Sequence, residues 1–352
     1  MTNVSRPPPR DRSGFKIAII CVLKAEFDAV EGLFDQFWEP DHNYGKAEKD
    51  PIVYRTGRIG AHDVVLVFLP GKGNIHSANV ASSLRSSFNS IRLCLVVGTC
   101  GGSPLTVEDE QEIILGDVII SAGVVYADFG QEFCDELVMD DNLQHSLGRP
   151  NLEIRAFLNK LSSMRSNSQL RSDTLAYLSQ LLQKKNYETY QYPGADKDKL
   201  YEKTYRHQHH IPTQCSICSK IADLRDPVCN HSRALTCDEL LCDDNMLVRR
   251  KRLHDGDVMS NNSQLHIVEP LIHLGLVASS DQTVRSAILR QKLFNEKGVI
   301  AFEMEGAGVW DTFPTIVIKG VCNYADSHKT RGWQKYASAT AAACLKALLR
   351  QW

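Results

Sequence analysis

Long apolar runs are missing from this sequence. The longest, such as Ile17 to Leu23, are about strand length, well short of the roughly 18 residues that argue for a membrane-spanning helix, so none is expected. An excess of either charge is missing too: 40 Lys plus Arg stand against 42 Asp plus Glu, a net charge of −2. Nothing in bulk would draw in a phosphate backbone, so neither a nucleic-acid partner nor a membrane is expected. There is no G-x-x-x-x-G-K-[ST], which excludes an ordinary P-loop. Gly71-Lys72-Gly73 lacks the third glycine of a dinucleotide fingerprint, and G-x-S-x-G and H-E-x-x-H are absent. Nothing points to hydride transfer or metalloprotease chemistry.

Residues 1–14 hold Pro7, Pro8 and Pro9 and three arginines but no apolar segment. Phe15 to Leu23 runs into Lys24-Ala25-Glu26 rather than ending in small residues, so a cleaved signal is not expected. Residues 1–14 read as a loose tail and the protein as cytoplasmic. The odd total of 11 cysteines fits reducing conditions.

What is present is globular. Hydrophobic residues at 43% and charged residues at 23% exclude wholesale disorder, and the length allows one large domain or two small ones. Residues 15–130 alternate strand and helix signals: Phe15 to Leu23, Ala25 to Phe34, Asp63 to Leu69, Ile75 to Phe88, Leu93 to Val97 and Gly116 to Ser121. Such alternation predicts an α/β fold with a mostly parallel sheet. Residues 265–352 resume it, with strands at Ile272 to Ala278 and Pro314 to Val321. Helices are expected over Thr283 to Lys297 and, Ala-rich and burying one face, from about Trp333 to Arg350. Between them, residues 131–264 weaken in periodicity and read as an insertion outside the main sheet, with local helices near Asn151 to Leu161 and Leu170 to Lys184.

The insertion is rich in cysteine: Cys215, Cys218, Cys229, Cys237 and Cys242 fall within 28 positions. Cys215-x2-Cys218, 18 residues, then Cys237-x4-Cys242 approaches a structural zinc layout, though its second pair is spaced four rather than two. His207, His209, His210, His231 and Cys229 offer further ligands. Free thiols in a mobile insertion are the alternative, and catalysis is expected to need no cofactor.

Polar groups stand where strands end: Glu26, the Gly98 to Gly102 loop and Asn323, with Glu303 and Glu305 on Phe302-Glu303-Met304-Glu305-Gly306. Parallel strands gather their C-terminal ends on one side, so these groups can converge on a small-molecule pocket. Taken singly, each also reads as a turn glycine or a surface carboxylate.

In order along the chain, FKIAIICVLKAEFDAV, VVGTCGG, GDVIIS, IAFEMEGAG and GVCNYADSHK resemble the nucleoside phosphorylase and nucleosidase superfamily. Methylthioadenosine and S-adenosylhomocysteine nucleosidases are the nearest enzymes in kind. Residues 56–65 and 322–345 further resemble the nucleosidase-like module at the N-terminus of fungal NOD-like receptors. The resemblance implies a three-layer α/β/α fold with a central, mostly parallel mixed sheet over residues 15–130 and 265–352. It also implies a homo-oligomer and a purine nucleoside as ligand. By motif position Glu26 would activate water, Glu305 would bind the ribose hydroxyls with Met304 against the sugar, Phe302 would wall the base, and Thr99 and Gly101 would line the water. Glu303 reads as a solvated carboxylate, and Asp326 as a turn cap.

Phosphorylases of the superfamily carry phosphate-clamping arginines, and this chain has Leu23-Lys24-Ala25-Glu26 and Val97 at those positions. Water is therefore the expected nucleophile, with Lys24 left as a cation that could attract an anion. One departure matters most: Asn323 stands where the resemblance implies a general-acid aspartate. The amide could read a 6-oxopurine edge, or it could mark a binding module that senses a nucleoside without turning it over.

Overall fold

The computed structural model describes residues 7–128, 130–132, 137–139, 147–224, 226–255, 269–328 and 332–352. Continuous apolar stretches become buried strands: β1 (Ile17–Cys21) is buried throughout, as are the branched side chains of β4 (His62–Phe68) from Asp63 to Val67. The helix α1 (Lys24–Glu31) follows β1, and β2 (Gln36–Phe37) and β3 (Tyr54–Ile59) precede β4. The order continues with α2 (Asn74–Ser87), β5 (Leu93–Gly102), β6 (Val118–Tyr126) and a short pair β7 (Gly130–Glu132) and β8 (Leu137–Met139). Then come α3 (Leu152–Leu161), α4 (Met164–Leu182), α5 (Asn230–Ala234), α6 (Lys251–Asp255), β9 (Ile272–Ser279), α7 (Ala287–Lys297), β10 (Val299–Glu303), α8 (Gly306–Trp310), β11 (Thr315–Asn323) and α9 (Trp333–Gln351).

Nine strands form a mixed sheet in the order β10-β9-β6-β11-β5-β1-β4-β3-β2. The central pairs β1–β4, β1–β5, β11–β5 and β6–β9 are parallel, while β3–β4 and β11–β6 are antiparallel. The edge strand β10 also pairs antiparallel with β5, matching Phe302 to Gly101. Five strands thus close on themselves. That closure sets the FEMEG segment beside the ends of β5 and β11.

Several elements differ from the sequence expectation. Gly98 to Gly102 is the end of β5, not a loop, because β11 and β10 pair with it on either side. Helix α7 begins only at Ala287, where Ser286 Oγ accepts from Leu289 N–H at 3.2 Å. Helix α9 is buried on nearly every face rather than one, since it lies between the sheet and α4. Its alanines allow a close approach: a Cβ on Gly320 of β11 would stand 2.0 Å from the Ala337 carbonyl oxygen.

Leu161, Leu170, Leu178 and Leu181 of the expected insertion belong to the same buried core as the sheet strands, so α3 and α4 add a layer to it. Of the expected tail, residues 1–6 lie outside the described residues. Residues 7–14 lie against the body, where the Pro9 carbonyl accepts from the Tyr44 hydroxyl at 3.0 Å and the Pro7 carbonyl from Arg58 at 3.0 Å.

Candidate functional site

Glu26 sits in the first turn of α1, directly after β1, and is buried. Its Oε2 accepts from the backbone N–H of Val22 at 3.1 Å and of Leu23 at 2.9 Å. Its Oε1 accepts from Thr99 N–H at 2.8 Å and from the Thr99 hydroxyl at 3.0 Å. Four donors fill the four lone-pair positions of the carboxylate and fix its plane. Gly98 makes room for it, since a Cβ there would lie 2.5 Å from Glu26 Cδ. The glycine serves the close approach of a side chain of this chain rather than of a ligand.

The second carboxylate set is built around a lysine. Lys319, in the middle of β11, is buried, with Nζ 3.0 Å from Glu305 Oε2 and 3.4 Å from Glu303 Oε2. Burial alone would lower the lysine pKa, but the carboxylates of Glu305, Glu303 and Glu26 hold it above the ordinary range. Glu303 is not the solvated carboxylate that its sequence position suggests. It is buried and accepts from Glu305 N–H at 3.0 Å and Gly306 N–H at 2.9 Å, which caps the start of α8. Burial pushes its pKa up, against the pull of Lys319. Glu305 keeps a freer oxygen: among the described residues Oε1 has only a long contact, 3.5 Å, from Gly73 N–H.

Asn323 ends β11. Its Oδ1 accepts from Ala325 N–H at 2.9 Å, which sets the amide orientation, and its Nδ2 donates to Cys322 Sγ at 3.3 Å. Asp326 caps the same turn by accepting from His328 N–H at 3.0 Å. Tyr324, between them, donates to the buried Asp198 at 2.7 Å, and burial pushes the Asp198 carboxyl up to about 6.

Glu26, Thr99, Gly101, Phe302, Met304, Glu305 and Asn323 all line one cavity of about 200 Å³. The residues singled out from four separate segments are therefore neighbours. Lys24 is not among them: it is exposed and pairs with Asp28 at 2.5 Å. Lys72, Arg285, Gln282 and Thr283 line the cavity as well and were not singled out. Lys319 was also missed, though a lysine inside the apolar PTIVIKGV run was a signal, because a charge there must find a buried partner.

The cysteines do not form the single set Cys215, Cys218, Cys237 and Cys242. The fold divides them into two groups that could each hold a metal, His209 with Cys215, Cys218 and Cys229, and His207 with Cys237 and Cys242. Spacing along the chain could not reveal the division, because the two histidines precede both cysteine pairs.

No family profile matches the chain. A nucleotide-binding leucine-rich repeat (NLR)-like protein of Hyaloscypha variabilis is 26% identical over 350 residues, covering 98% of this chain; the chain spans 30% of that relative's length. Among solved structures, the methylthioadenosine nucleosidase (MTAN) of Helicobacter pylori, in a variant with 5′-methylthioadenosine in its active site, superposes with a TM-score of 0.52 at 15% identity. The match covers 96% of this chain and 100% of that one. Futalosine hydrolase of Helicobacter pylori strain 26695 gives a TM-score of 0.53 at 14% identity, over 96% and 99% of the two chains. This chain has the fold of the nucleosidases in the nucleoside phosphorylase superfamily.

Proposed function

We propose that this chain is a nucleosidase-type hydrolase that cleaves the ribose–base bond of a purine nucleoside with water. One observation carries the reading: Glu26, Glu305 and Asn323, from three different strand ends, face one cavity walled by Phe302 and Met304. Cleaving an N-glycosidic bond develops positive charge on the sugar and negative charge on the base. A site that catalyses it must hold the hydroxyls, guide a nucleophile and assist the leaving base.

The residues divide that work. Glu305 accepts from the ribose hydroxyls through Oε1 while Lys319 holds its other oxygen in place. Glu26 supplies negative charge beside the sugar and draws the proton from water. Because its lone pairs are filled, the water is engaged through Thr99, whose hydroxyl donates to Glu26 and keeps lone pairs to accept. Asn323 Nδ2 donates a hydrogen bond to the N7 or O6 edge of the base. It cannot give up a proton, so turnover is slow.

The same amide favours a second reading, a module that binds a nucleoside without cleaving it. The filled lone pairs of Glu26 and the similarity to part of an NLR-like protein support that alternative. A phosphate-dependent reaction is the third, and Lys72 and Arg285 at the cavity's exposed edge are the cations it would use.

The test is chromatography of free base from adenosine, methylthioadenosine, inosine and guanosine, each with and without phosphate. Release without phosphate that disappears in Glu26→Gln supports the hydrolase. Release only with phosphate overturns it, and tight binding with no release in single-turnover conditions assigns the binding module. On the proposed reading the protein is cytoplasmic and homo-oligomeric, which cell fractionation and sedimentation velocity check.

A further inference from the structure

From Tyr205 to Met246 the buried hydrophobic side chains are Cys218, Cys229, Cys237 and Leu240. Among the described residues, regular structure there is confined to 3₁₀ turns at Pro212–Gln214, Cys218–Lys220 and Asp244–Met246 and to the five residues of α5. Ordering backbone costs about 1–2 kcal/mol per residue, while fully burying one leucine returns about 1.5–3 kcal/mol. Something other than an apolar core holds this segment in one conformation, and its thiols and imidazoles are what it buries instead.

Their geometry matches metal coordination. His209 Nδ1 is 3.7 Å from Cys218 Sγ and 3.5 Å from Cys229 Sγ, and these atoms with that of Cys215 lie within 4.8 Å of one another. A tetrahedral zinc with Zn–S near 2.3 Å and Zn–N near 2.0–2.1 Å has an S···N edge of about 3.6 Å. The amides of Cys218 and Ser232 point at the sulfurs of Cys215 and Cys229, at 3.5 and 3.3 Å, as they do around metal thiolates.

In the second group His207 Nδ1 is 3.8 Å from Cys237 Sγ and 3.8 Å from Cys242 Sγ. Its Nε2 donates to the Leu235 carbonyl at 2.9 Å, which leaves the Nδ1 lone pair facing the two sulfurs. A candidate fourth ligand stands next to this group, outside the set of ligand atoms that lie within 4.8 Å of one another. His328 is buried beside His207, ring centroids 5.4 Å apart, and neither of its ring nitrogens has a hydrogen-bond partner among the described residues. Asp326 Oδ2 is 3.9 Å from Nδ1, beyond hydrogen-bond distance. A buried imidazole with no partner is costly, and a metal would satisfy it.

We propose that residues 205–246 bind two zinc ions. The first is held by His209, Cys215, Cys218 and Cys229, the second by His207, Cys237 and Cys242, with the neighbouring His328 drawn in from outside that set as the fourth ligand. Five thiolates and three imidazoles without a carboxylate suit Zn²⁺ over Mg²⁺ or Ca²⁺. His328 follows Asn323 on the turn after β11, so the second ion ties the insertion to the loop that carries Asn323.

The test is elemental analysis of the full chain purified from zinc-supplemented cells, with a Co²⁺ titration of the metal-stripped protein read in the thiolate charge-transfer band. Two zinc per chain and a cobalt end-point at two equivalents are expected. Cys218→Ser and Cys237→Ser should each remove one equivalent, and His328→Ala should speed the release of one ion to a chelator while the other stays slow. Zero or one equivalent in the unsubstituted chain overturns the two-site assignment, whether or not the variants fold. Two zinc ions that survive both serine substitutions overturn the ligand sets, and unchanged release from His328→Ala overturns the tie to the β11 loop.

Discussion

Asn323→Asp exchanges one NH₂ for one oxygen at the edge of the cavity, and its effect follows from the bonds around that position. Oδ1 accepts from Ala325 N–H at 2.9 Å, a bond that a carboxyl oxygen makes equally well, so the turn is preserved. The Nδ2 position is 3.3 Å from Cys322 Sγ, a weak partner whose loss costs little. Stability should therefore change by less than about 1 kcal/mol. The new carboxyl shares its cavity with the carboxylates of Glu26, Glu303 and Glu305, and like charges favour its protonated, proton-donating form. General-acid assistance typically contributes about 10²–10⁴ in rate, or about 3–5 kcal/mol of barrier. The assay is single-turnover base release followed by chromatography, with nucleoside Kd from calorimetry. We expect a rise of that order in rate with Kd changed less than tenfold. Equal or slower release from a folded variant with the same Kd would refute the argument, since proton donation to the base would not be what limits this site.

Other consequences are as direct. Gly98→Ala puts a methyl group 2.5 Å from Glu26 Cδ in a strand paired to β11, so about 1–3 kcal/mol of stability and all base release should be lost; a thermal shift within error of the unsubstituted protein would contradict this. Lys319→Met leaves Glu303 and Glu305 buried without their cation and should cost about 3–5 kcal/mol in urea denaturation, a cost below about 1 kcal/mol speaking against the triad. Burial raises Asp198 from 3.8 to about 6, so the folded state favours the neutral carboxyl. The stability it contributes is fully present below about pH 3.8 and lost as pH rises through about 6, roughly 3 kcal/mol in all. Asp198→Asn, neutral throughout, should flatten that pH dependence, and denaturation curves of parallel slope from pH 4 to 7 would count against it.

The apolar runs of β1, β4, β5 and β11 and the amphipathic or Ala-rich helices were legible in the sequence, because burial on both faces demands continuous apolar side chains and a helix repeats every 3.6 residues. The order of motifs also placed Glu26, Gly98 to Gly102 and Asn323 at strand ends, with Glu305 on the separate FEMEG segment, and strand ends of a parallel sheet meet by topology. Only the tertiary structure decided how those groups are satisfied. Four donors surround Glu26, two of them from Thr99, 73 residues away. Glu303 is a buried cap rather than a surface charge because Lys319 and the first amides of α8 converge on it. Gly98 to Gly102 continue a strand because β10 closes back onto β5. The cysteines divide by proximity to His207 and His209, not by spacing. Periodicity and composition report which face of an element is buried; they do not report which distant backbone or side chain meets it, and for charged groups and metal ligands that partner decides the chemistry.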